Sequence, residues 1–373
     1  MAAADPWIVW MRRALQLASL GAGRTSPNPL VGALVLDAAG VLVGEGYHAR
    51  AGQAHAEVGA LAQAGERARG GTLVVTLEPC CHHGRTPPCC DAVIAAGVAR
   101  VVLALQDPNP QVAGGGILRL RQAGIEVIEA VLAAEARALN AAFLQRLATG
   151  RPLAILKWAM SLDGRTALPN GISQWISAPP ARERVHRLRA GVDAVIIGGG
   201  TLRADDPLLT SRGRRQPEPL RVVLSRRLEL PASARLWDTS VAPTLVAHGP
   251  EATAAARQRL ARLAAAHPGL EVLALPECTP AALLEALAAR GCNQVLWECG
   301  PQLAAAALRQ QCVQRVIAVI APKLLGGRPA RTPLGDLGLE RLDQAPAWLA
   351  ATPQRLGPDL VWELNLPAAL GVR

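Results

Sequence analysis

The sequence predicts an α/β protein built as two domains in series. Three observations carry this reading. The chain has 373 residues, too many for one small core. Short β-type runs alternate with helical patterns along its length. The alternation stops and restarts around Gly150-Arg151-Pro152, a punctuation that reads as a linker. The domains are therefore taken as 1–149 and 150–373.

In the first domain, residues 5–20 have helical apolar spacing. Residues 31–48 read as two strands around a turn from Asp37 to Gly40. A helix is expected over 54–68, a strand over 71–79, and a helix over 87–97 after two prolines. A strand at 99–108, a helix at 115–124 and a strand at 125–132 follow, and one closing helix is expected over 135–150.

The second domain restarts with a strand at 152–160, a helix at 177–191 and a strand at 192–200 that runs into a glycine turn. Strands are expected at 220–225, 244–249, 270–275, 294–300, 315–322 and 359–366, with helices between several of them. Near-continuous apolar runs of this kind suit a mainly parallel sheet buried on both faces.

Composition narrows the function. Half the residues are apolar, so the chain can fold into packed cores. The net charge is +10, carried almost wholly by the second domain. Residues 1–150 hold 12 basic against 11 acidic side chains, and residues 151–373 hold 27 against 18. A basic half attracts phosphates, so the second domain should take the more anionic ligand. Only Lys157 and Lys323 are lysines among 39 basic residues. Burial can tune a lysine as it cannot tune an arginine, which draws attention to both.

Eight cysteines are few for this length, and four fall between positions 80 and 90. That pattern suits a local metal site in a reducing compartment rather than a disulfide framework. The N-terminal stretch carries an acid and a proline before a short apolar run, unlike a signal peptide. No run of about 18 apolar residues is present to span a membrane. A cytoplasmic protein is expected.

The cysteine stretch, LEPCCHHGRTPPCC at 77–90, pairs Cys80 with Cys89 and Cys81 with Cys90 at equal spacing. Upstream, HAEV places His55 and Glu57 at a helix start. An H-x-E element followed by a P-C…C element is the signature of zinc deaminases acting on bases. Two thiolates and a neutral imidazole leave one zinc position open for water. Zinc lowers that water's pKa, and a glutamate that does not bind the metal moves the protons. Cys80 follows the proline of the pattern, and Cys89 opens a helix whose N–H groups favour a thiolate. The expected ligands are His55, Cys80 and Cys89, with Glu57 catalytic. Cys81 and Cys90 should point elsewhere, and His48 reads as an ordinary loop or strand histidine. A closed structural zinc site, with His82 or His83 as a fourth ligand, is the alternative.

Taken with TSPNPLVGALVL and DPNPQVAGGG, these segments closely resemble the deaminase domain of the bifunctional riboflavin-biosynthesis deaminase/reductase family. Cys81 departs from the family pattern. The resemblance implies a cytidine-deaminase-like three-layer α/β/α domain. It also implies that Asn28, His82, His83 and Arg85 contact the substrate. AILKWAMSLDGRTA, SQWIS, LRAGVDAVIIGGGTLRADDPLLTSR, WECGPQLAAAAL and IAPKLLGG resemble the family's reductase domain, which has a dihydrofolate-reductase-like α/β fold. The resemblance covers nearly the whole chain in family order.

For the second domain, the resemblance implies NADPH contacts at Ala159, Trp175, Thr201, Asp205, Ser225 and the Gly300 turn. It implies substrate contacts at Ser173, Arg189, Leu209, Arg212 and Glu298. Arg189 and Arg212 suggest a clamp on the ribose 5-phosphate. Arg226 and Arg227 suit the adenosine 2′-phosphate. Lys157, with Asp205 and Glu298 nearby, is expected to stabilise or protonate the opening sugar. The residues alone say less. GGGT at 198–201 fails the G-x-G-x-x-G fingerprint because Arg203 occupies the third glycine's place. It and CGPQLA at 299–304 are two glycine turns, each between a strand and a helix, suited to phosphate.

The implied function is two consecutive steps of riboflavin synthesis. The first is zinc-dependent hydrolytic deamination of 2,5-diamino-6-(5-phosphoribosylamino)pyrimidin-4(3H)-one. The second is NADPH reduction of the ribosyl group to give 5-amino-6-(5-phosphoribitylamino)uracil. A homo-oligomer formed through the reductase domain is also implied. A tRNA- or DNA-acting deaminase would need a basic, aromatic-lined first domain, whereas that half is near neutral. A non-catalytic zinc scaffold would tolerate Glu57→Gln, and a chain with one decayed domain would lose one activity alone.

Overall fold

A computed structural model describes residues 6–82, 87–108, 114–327 and 330–367. By contact density the chain divides into two compact units, Met1–Thr149 and Gly150–Arg373.

The first unit is built on strands β1 (Gly32–Leu36), β2 (Leu42–Tyr47), β3 (Thr72–Val75), β4 (Arg100–Leu103) and β5 (Glu126–Ile128), ordered β2-β1-β3-β4-β5. β1 runs antiparallel to β2 and β3, while β3, β4 and β5 are parallel. Successive side chains along a strand point to opposite faces. Ala33, Val35, Leu73, Val75, Val101 and Leu103 face α2 (Ala56–Ala64), α3 (Cys89–Ala96) and α4 (Gly115–Gln122). Leu34, Val74 and Val102 face α1 (Trp7–Ser19) and α5 (Ala133–Leu139). The result is the expected three-layer α/β/α sandwich. Gly44 and Gly46 let β2 lie flush on α2, since a Cβ at either would overlap the carbonyl oxygen of Ala60 or Ala56.

One expected element is divided. The closing helix is two, α5 and α6 (Ala141–Thr149), broken at Asn140. The buried Asn140 amide bonds Leu30 twice: Oδ1 accepts its N–H at 2.8 Å and Nδ2 donates to its carbonyl at 3.0 Å. A side chain committed to a strand-like pairing breaks the helix that local propensity favours.

The second unit holds a sheet of ten strands among the described residues, ordered β10-β9-β8-β7-β11-β6-β12-β15-β13, with β14 on β15. The parallel part comprises β6 (Leu153–Ser161), β7 (Ala194–Gly198), β8 (Leu220–Leu224), β9 (Thr244–His248), β10 (Leu270–Ala274), β11 (Gln294–Trp297) and β12 (Arg315–Ala321). β13 (Leu349–Ala350), β14 (Gln354–Leu356) and β15 (Asp359–Asn365) close one side antiparallel. α7 (Pro179–Ala190), α8 (Gly199–Asp205), α9 (Ala254–Ala266), α10 (Pro280–Ala289) and α11 (Pro301–Arg309) connect the strands. The core centres on Trp297, Leu156, Ile196, Val222 and Leu245. Among the described residues, no helix is long and apolar enough to cross a membrane.

Candidate active sites

The first site forms where α2 and α3 begin. His55 is the residue before α2, in extended conformation, and Cys89 is the first residue of α3. Cys80 lies on the loop after β3. His55 Nδ1 lies 3.1 Å from Cys89 Sγ and 3.7 Å from Cys80 Sγ. The Cys89 backbone N–H donates to Cys80 Sγ at 3.4 Å. One ligand atom from each of the three falls within 4.8 Å of the others. Two sulfurs and an imidazole nitrogen at this spacing suit a tetrahedral zinc site with one position left over. Hydrogen bonding from Cys89, with His55 beside it, pulls the Cys80 thiol down to about 4. Cys89 is driven up by that same pairing and by burial.

Glu57 stands in the first turn of α2 and is 3% exposed. Its Oε2 has no hydrogen-bond partner among the described residues. Burial raises its pKa, so the carboxyl can hold a proton as well as release one.

Among the described residues no fourth His, Cys, Asp or Glu joins the three. Cys90 is fully buried and donates to the Pro79 carbonyl at 3.3 Å, its thiol pushed up to about 12 by burial. Cys81 packs partly buried against the core. His82 is exposed. His83 and Arg85 lie outside the described residues.

Two residues take roles that the sequence analysis missed. His48, on the loop just after β2, is buried, with its ring 5.5 Å from that of His55 in an edge-to-face arrangement. Its Nε2 lies 3.1 Å from Asn28 Nδ2 and its Nδ1 3.2 Å from the Ala54 carbonyl, so Asn28 joins the site through it. Burial lowers the His48 pKa and favours the neutral ring. Glu78, 3% exposed, takes four backbone N–H groups: Asp107 and Gly114 on Oε2, Gly116 and Ile117 on Oε1. It caps α4 from another part of the chain and fixes the loop bearing Cys80. A carboxylate at a helix N-terminus suits both the free N–H groups and the dipole.

The second site is a cleft of about 1330 Å³ in the second unit. Lys157, Ala159, Ser173, Trp175, Arg189, Thr201, Asp205, Leu209, Arg212, Ser225, Glu298 and Gly300 all line it. The cleft sits at the C-terminal ends of parallel strands, where open α/β sheets bind ligands. Nine arginines line it against three acids, Asp205, Glu229 and Glu298. The basic excess of the second half is thus focused on one cavity.

The two glycine turns follow the adjacent strands β7 and β11. Thr201 Oγ1 accepts the Gly300 N–H at 3.1 Å and ties the turns together. A Cβ at Gly199 would sit 2.9 Å from Ser225 Oγ, so glycine lets the first turn close onto β8. Ser173 Oγ donates to Asp205 Oδ1 at 3.0 Å. Leu209 and Arg212 have φ of 56° and 58°, in the left-handed region. The buried Glu218 braces that loop by accepting the N–H groups of Ser211 and Gly213. Arg182 stacks over the Trp175 ring at 4.6 Å, and Lys323 donates to the Trp175 carbonyl at 2.7 Å. Lys323 therefore braces the cleft wall.

Both arginines of the expected clamp line the cleft. Arg189 faces Glu298 with Nε on Oε1 at 2.6 Å and Nη2 on Oε2 at 3.0 Å, while Nη1 donates to the Thr210 carbonyl at 3.0 Å. Lys157 Nζ reaches Glu298 Oε2 at 3.5 Å. Burial pushes Glu298 up, but Arg189 and Lys157 outweigh it and hold the carboxyl at about 2. Arg212 stays exposed on the rim. Arg226 and Arg227 are exposed beside Ser225, each only 3.9 Å from a glutamate oxygen, on Glu251 and Glu229 respectively.

Comparison with known proteins agrees with this geometry. Residues 8–105 match the cytidine and deoxycytidylate deaminase zinc-binding region, and residues 152–362 match the RibD C-terminal domain. A zinc-binding deaminase domain followed by a dihydrofolate-reductase-like domain defines a bifunctional deaminase/reductase. The riboflavin biosynthesis protein RibD of Synechocystis is 49% identical over 349 residues, covering 94% of this chain and 93% of that protein. The Escherichia coli protein of the same name is 44% identical, covering 95% and 98%. A Thermotoga maritima structure described as a diaminohydroxyphosphoribosylaminopyrimidine deaminase/5-amino-6-(5-phosphoribosylamino)uracil reductase superposes with a TM-score of 0.86. It is 34% identical, covering 96% of this chain and 98% of that one. The chain belongs to the RibD family of riboflavin-biosynthesis proteins.

Proposed function

We propose that this chain catalyses two consecutive reactions of riboflavin synthesis, one in each unit. The substrate is 2,5-diamino-6-(5-phosphoribosylamino)pyrimidin-4(3H)-one, and the product is 5-amino-6-(5-phosphoribitylamino)uracil. The observation that carries the reading is the pairing of a His-Cys-Cys trio beside a buried glutamate with a basic, glycine-turned cleft.

In the first unit, His55, Cys80 and Cys89 would hold zinc. Zinc supplies Lewis acidity that lowers the pKa of water. Glu57 takes a proton from the attacking water and passes protons to the ring nitrogen and the departing amine. Water adds at C2, the C2–N bond breaks, and ammonia leaves with a C2 carbonyl behind. Asn28 and the neutral His48 form the adjoining wall for the pyrimidine, and His82 and Arg85 belong to the same substrate set.

In the second unit, Ala159, Trp175, Thr201, Asp205, Ser225 and Gly300 would hold NADPH, which supplies a hydride. The linked glycine turns offer backbone N–H groups to the pyrophosphate. Arg226 and Arg227 suit the 2′-phosphate. Ser173, Arg189, Leu209, Arg212 and Glu298, which all line the cleft, hold the phosphoribosyl substrate. Lys157, paired with Glu298, gives a proton to the ring oxygen as the C1′–O bond opens. C1′ is then open to the hydride that NADPH would supply when bound, with Asp205 orienting Ser173 beside it.

We further propose a homo-oligomer formed through the second unit, supported by the exposed Leu342, Leu349, Leu360 and Trp362. A cytoplasmic location is part of the same reading, supported by eight free cysteines.

The test follows ammonia release and NADPH oxidation together on the purified chain with the diamino substrate. The reading expects both signals. It also expects zinc chelation to stop ammonia release while NADPH oxidation on deaminated substrate continues. Ammonia release without NADPH oxidation would overturn the second half.

A further inference from the structure

We propose that Lys323 is a positioning residue of the reductase site: it holds the Trp175 segment of the cleft wall in place for NADPH without touching the cofactor. The inference rests on the reductase reading above and deepens it.

Lys323 is one of two lysines among 39 basic residues, and the chemistry above uses only the other. Its place follows from the sheet. β6 and β12 are parallel neighbours with Ser161 opposite Ala321, so the chains leaving their C-terminal ends run side by side. The Leu162 N–H donates to the Lys323 carbonyl at 2.9 Å and continues that pairing. Asp163 then grips the loop after β12. Its Oδ1 accepts the Leu325 N–H at 3.1 Å, and its Oδ2 accepts the Gly326 N–H at 2.7 Å. The Ser161 hydroxyl donates to the same carboxylate. Ser161 and these two N–H groups hold the Asp163 carboxyl down at about 2, so it stays an ionised acceptor near neutral pH. The backbone around Lys323 is thus held in place.

From that fixed base, Lys323 Nζ donates to the Trp175 carbonyl at 2.7 Å. Trp175 stands on the loop joining β6 to α7 and lines the cleft, whereas Lys323 does not. Trp175 is 60% exposed, so core packing does not hold it. Polar contacts do. Arg182 of α7 lies over its ring at 4.6 Å and also donates to the Ser177 carbonyl at 2.6 Å. Arg182 takes the ring and Lys323 takes the carbonyl. An exposed lysine usually gains little from one hydrogen bond, because ordering its long side chain costs entropy. Here the backbone is already ordered, and the charged donor strengthens the bond.

The test is NADPH oxidation on deaminated substrate with NADPH varied, for wild type, Lys323→Met, Lys323→Arg and Asp163→Asn. Lys323→Met should raise the KM for NADPH about fivefold, the size of one modest hydrogen bond. It should change kcat and the KM for the pyrimidine less than about twofold. Lys323→Arg keeps a charged donor and should restore most of the affinity. Asp163→Asn loosens the loop with Lys323 intact, so it should raise the same KM. In the Lys323→Met background it should add little. The KM ratio between Lys323→Met and wild type should survive high salt, which screens distant charges far more than a direct bond. Lys323 is exposed, so the variants should fold, which thermal unfolding checks; Lys323→Gln carries the same prediction if Lys323→Met does not. An unchanged KM for NADPH in Lys323→Met would overturn the proposal, as would no recovery in Lys323→Arg. A ratio that falls to one at high salt would show the ammonium attracting the cofactor from a distance, and would overturn it as well. Wild-type chain that oxidises no NADPH would instead refute the reductase reading, an outcome visible before any variant is compared.

Discussion

The Glu78 carboxylate accepts the Gly116 backbone N–H at 2.9 Å, joining the loop that bears Cys80 to the start of α4. Three further backbone N–H groups meet the same carboxylate. A buried carboxylate so fully used is a structural anchor for the metal loop. Glu78→Gln turns two acceptor positions into donors facing donors. We expect a loss of about 2–3 kcal/mol in stability and about 10-fold weaker zinc retention. Thermal unfolding and competition with a chelator measure the two.

Gly116 supports the same junction. A Cβ there would overlap the Pro79 carbonyl oxygen and approach Glu78 Oε1 at 3.1 Å. Gly116→Ala should therefore displace Pro79, next to the metal ligand, and lower deamination more than reduction. Comparing ammonia release with NADPH oxidation on deaminated substrate checks this.

Thr201 and Gly300 hold the two glycine turns together through one hydrogen bond. Thr201→Val keeps the shape and removes the acceptor. A lost hydrogen bond of about 1.4 kcal/mol corresponds to about a tenfold rise in the KM for NADPH. We expect kcat to change little, and steady-state kinetics with varied NADPH gives the answer.

Acid stability of the second unit should report the Glu298 cluster. Its folded pKa, about 2, lies below the ordinary 4.5. A depressed carboxyl pKa stabilises the fold above the ordinary value, and that contribution is lost as pH falls from 4.5 toward about 2. Removing both charges in the Arg189→Met, Glu298→Gln double variant should erase this dependence. Urea unfolding at a series of acidic pH values would show the wild-type and variant curves converge.

Much of this was legible in the sequence because it is local. His55 and Glu57 are two apart, and Cys80 and Cys89 flank one loop, so spacing reveals them. Strand and helix order followed from apolar periodicity. What stayed hidden depends on distant chain. Glu78 meets partners 29 to 39 residues away, and Arg189 meets Glu298 across 109. Asn140 breaks a helix because it pairs with Leu30, 110 residues earlier. Arg221 on β8 is fully buried and donates to the carbonyls of Leu236, Asp238 and Ala242, the nearest of them 15 residues on. His48 carried no spacing signal, and only the fold brings it against His55.

The central claim is that Glu57 drives a deamination whose product feeds the second unit. The most direct test follows ammonia release and NADPH oxidation together for Glu57→Gln. With the diamino substrate, both signals should fall at least about 100-fold. With deaminated substrate, NADPH oxidation should return to the wild-type rate. Ammonia release at the wild-type rate from Glu57→Gln, or no return of NADPH oxidation with deaminated substrate, would contradict the account.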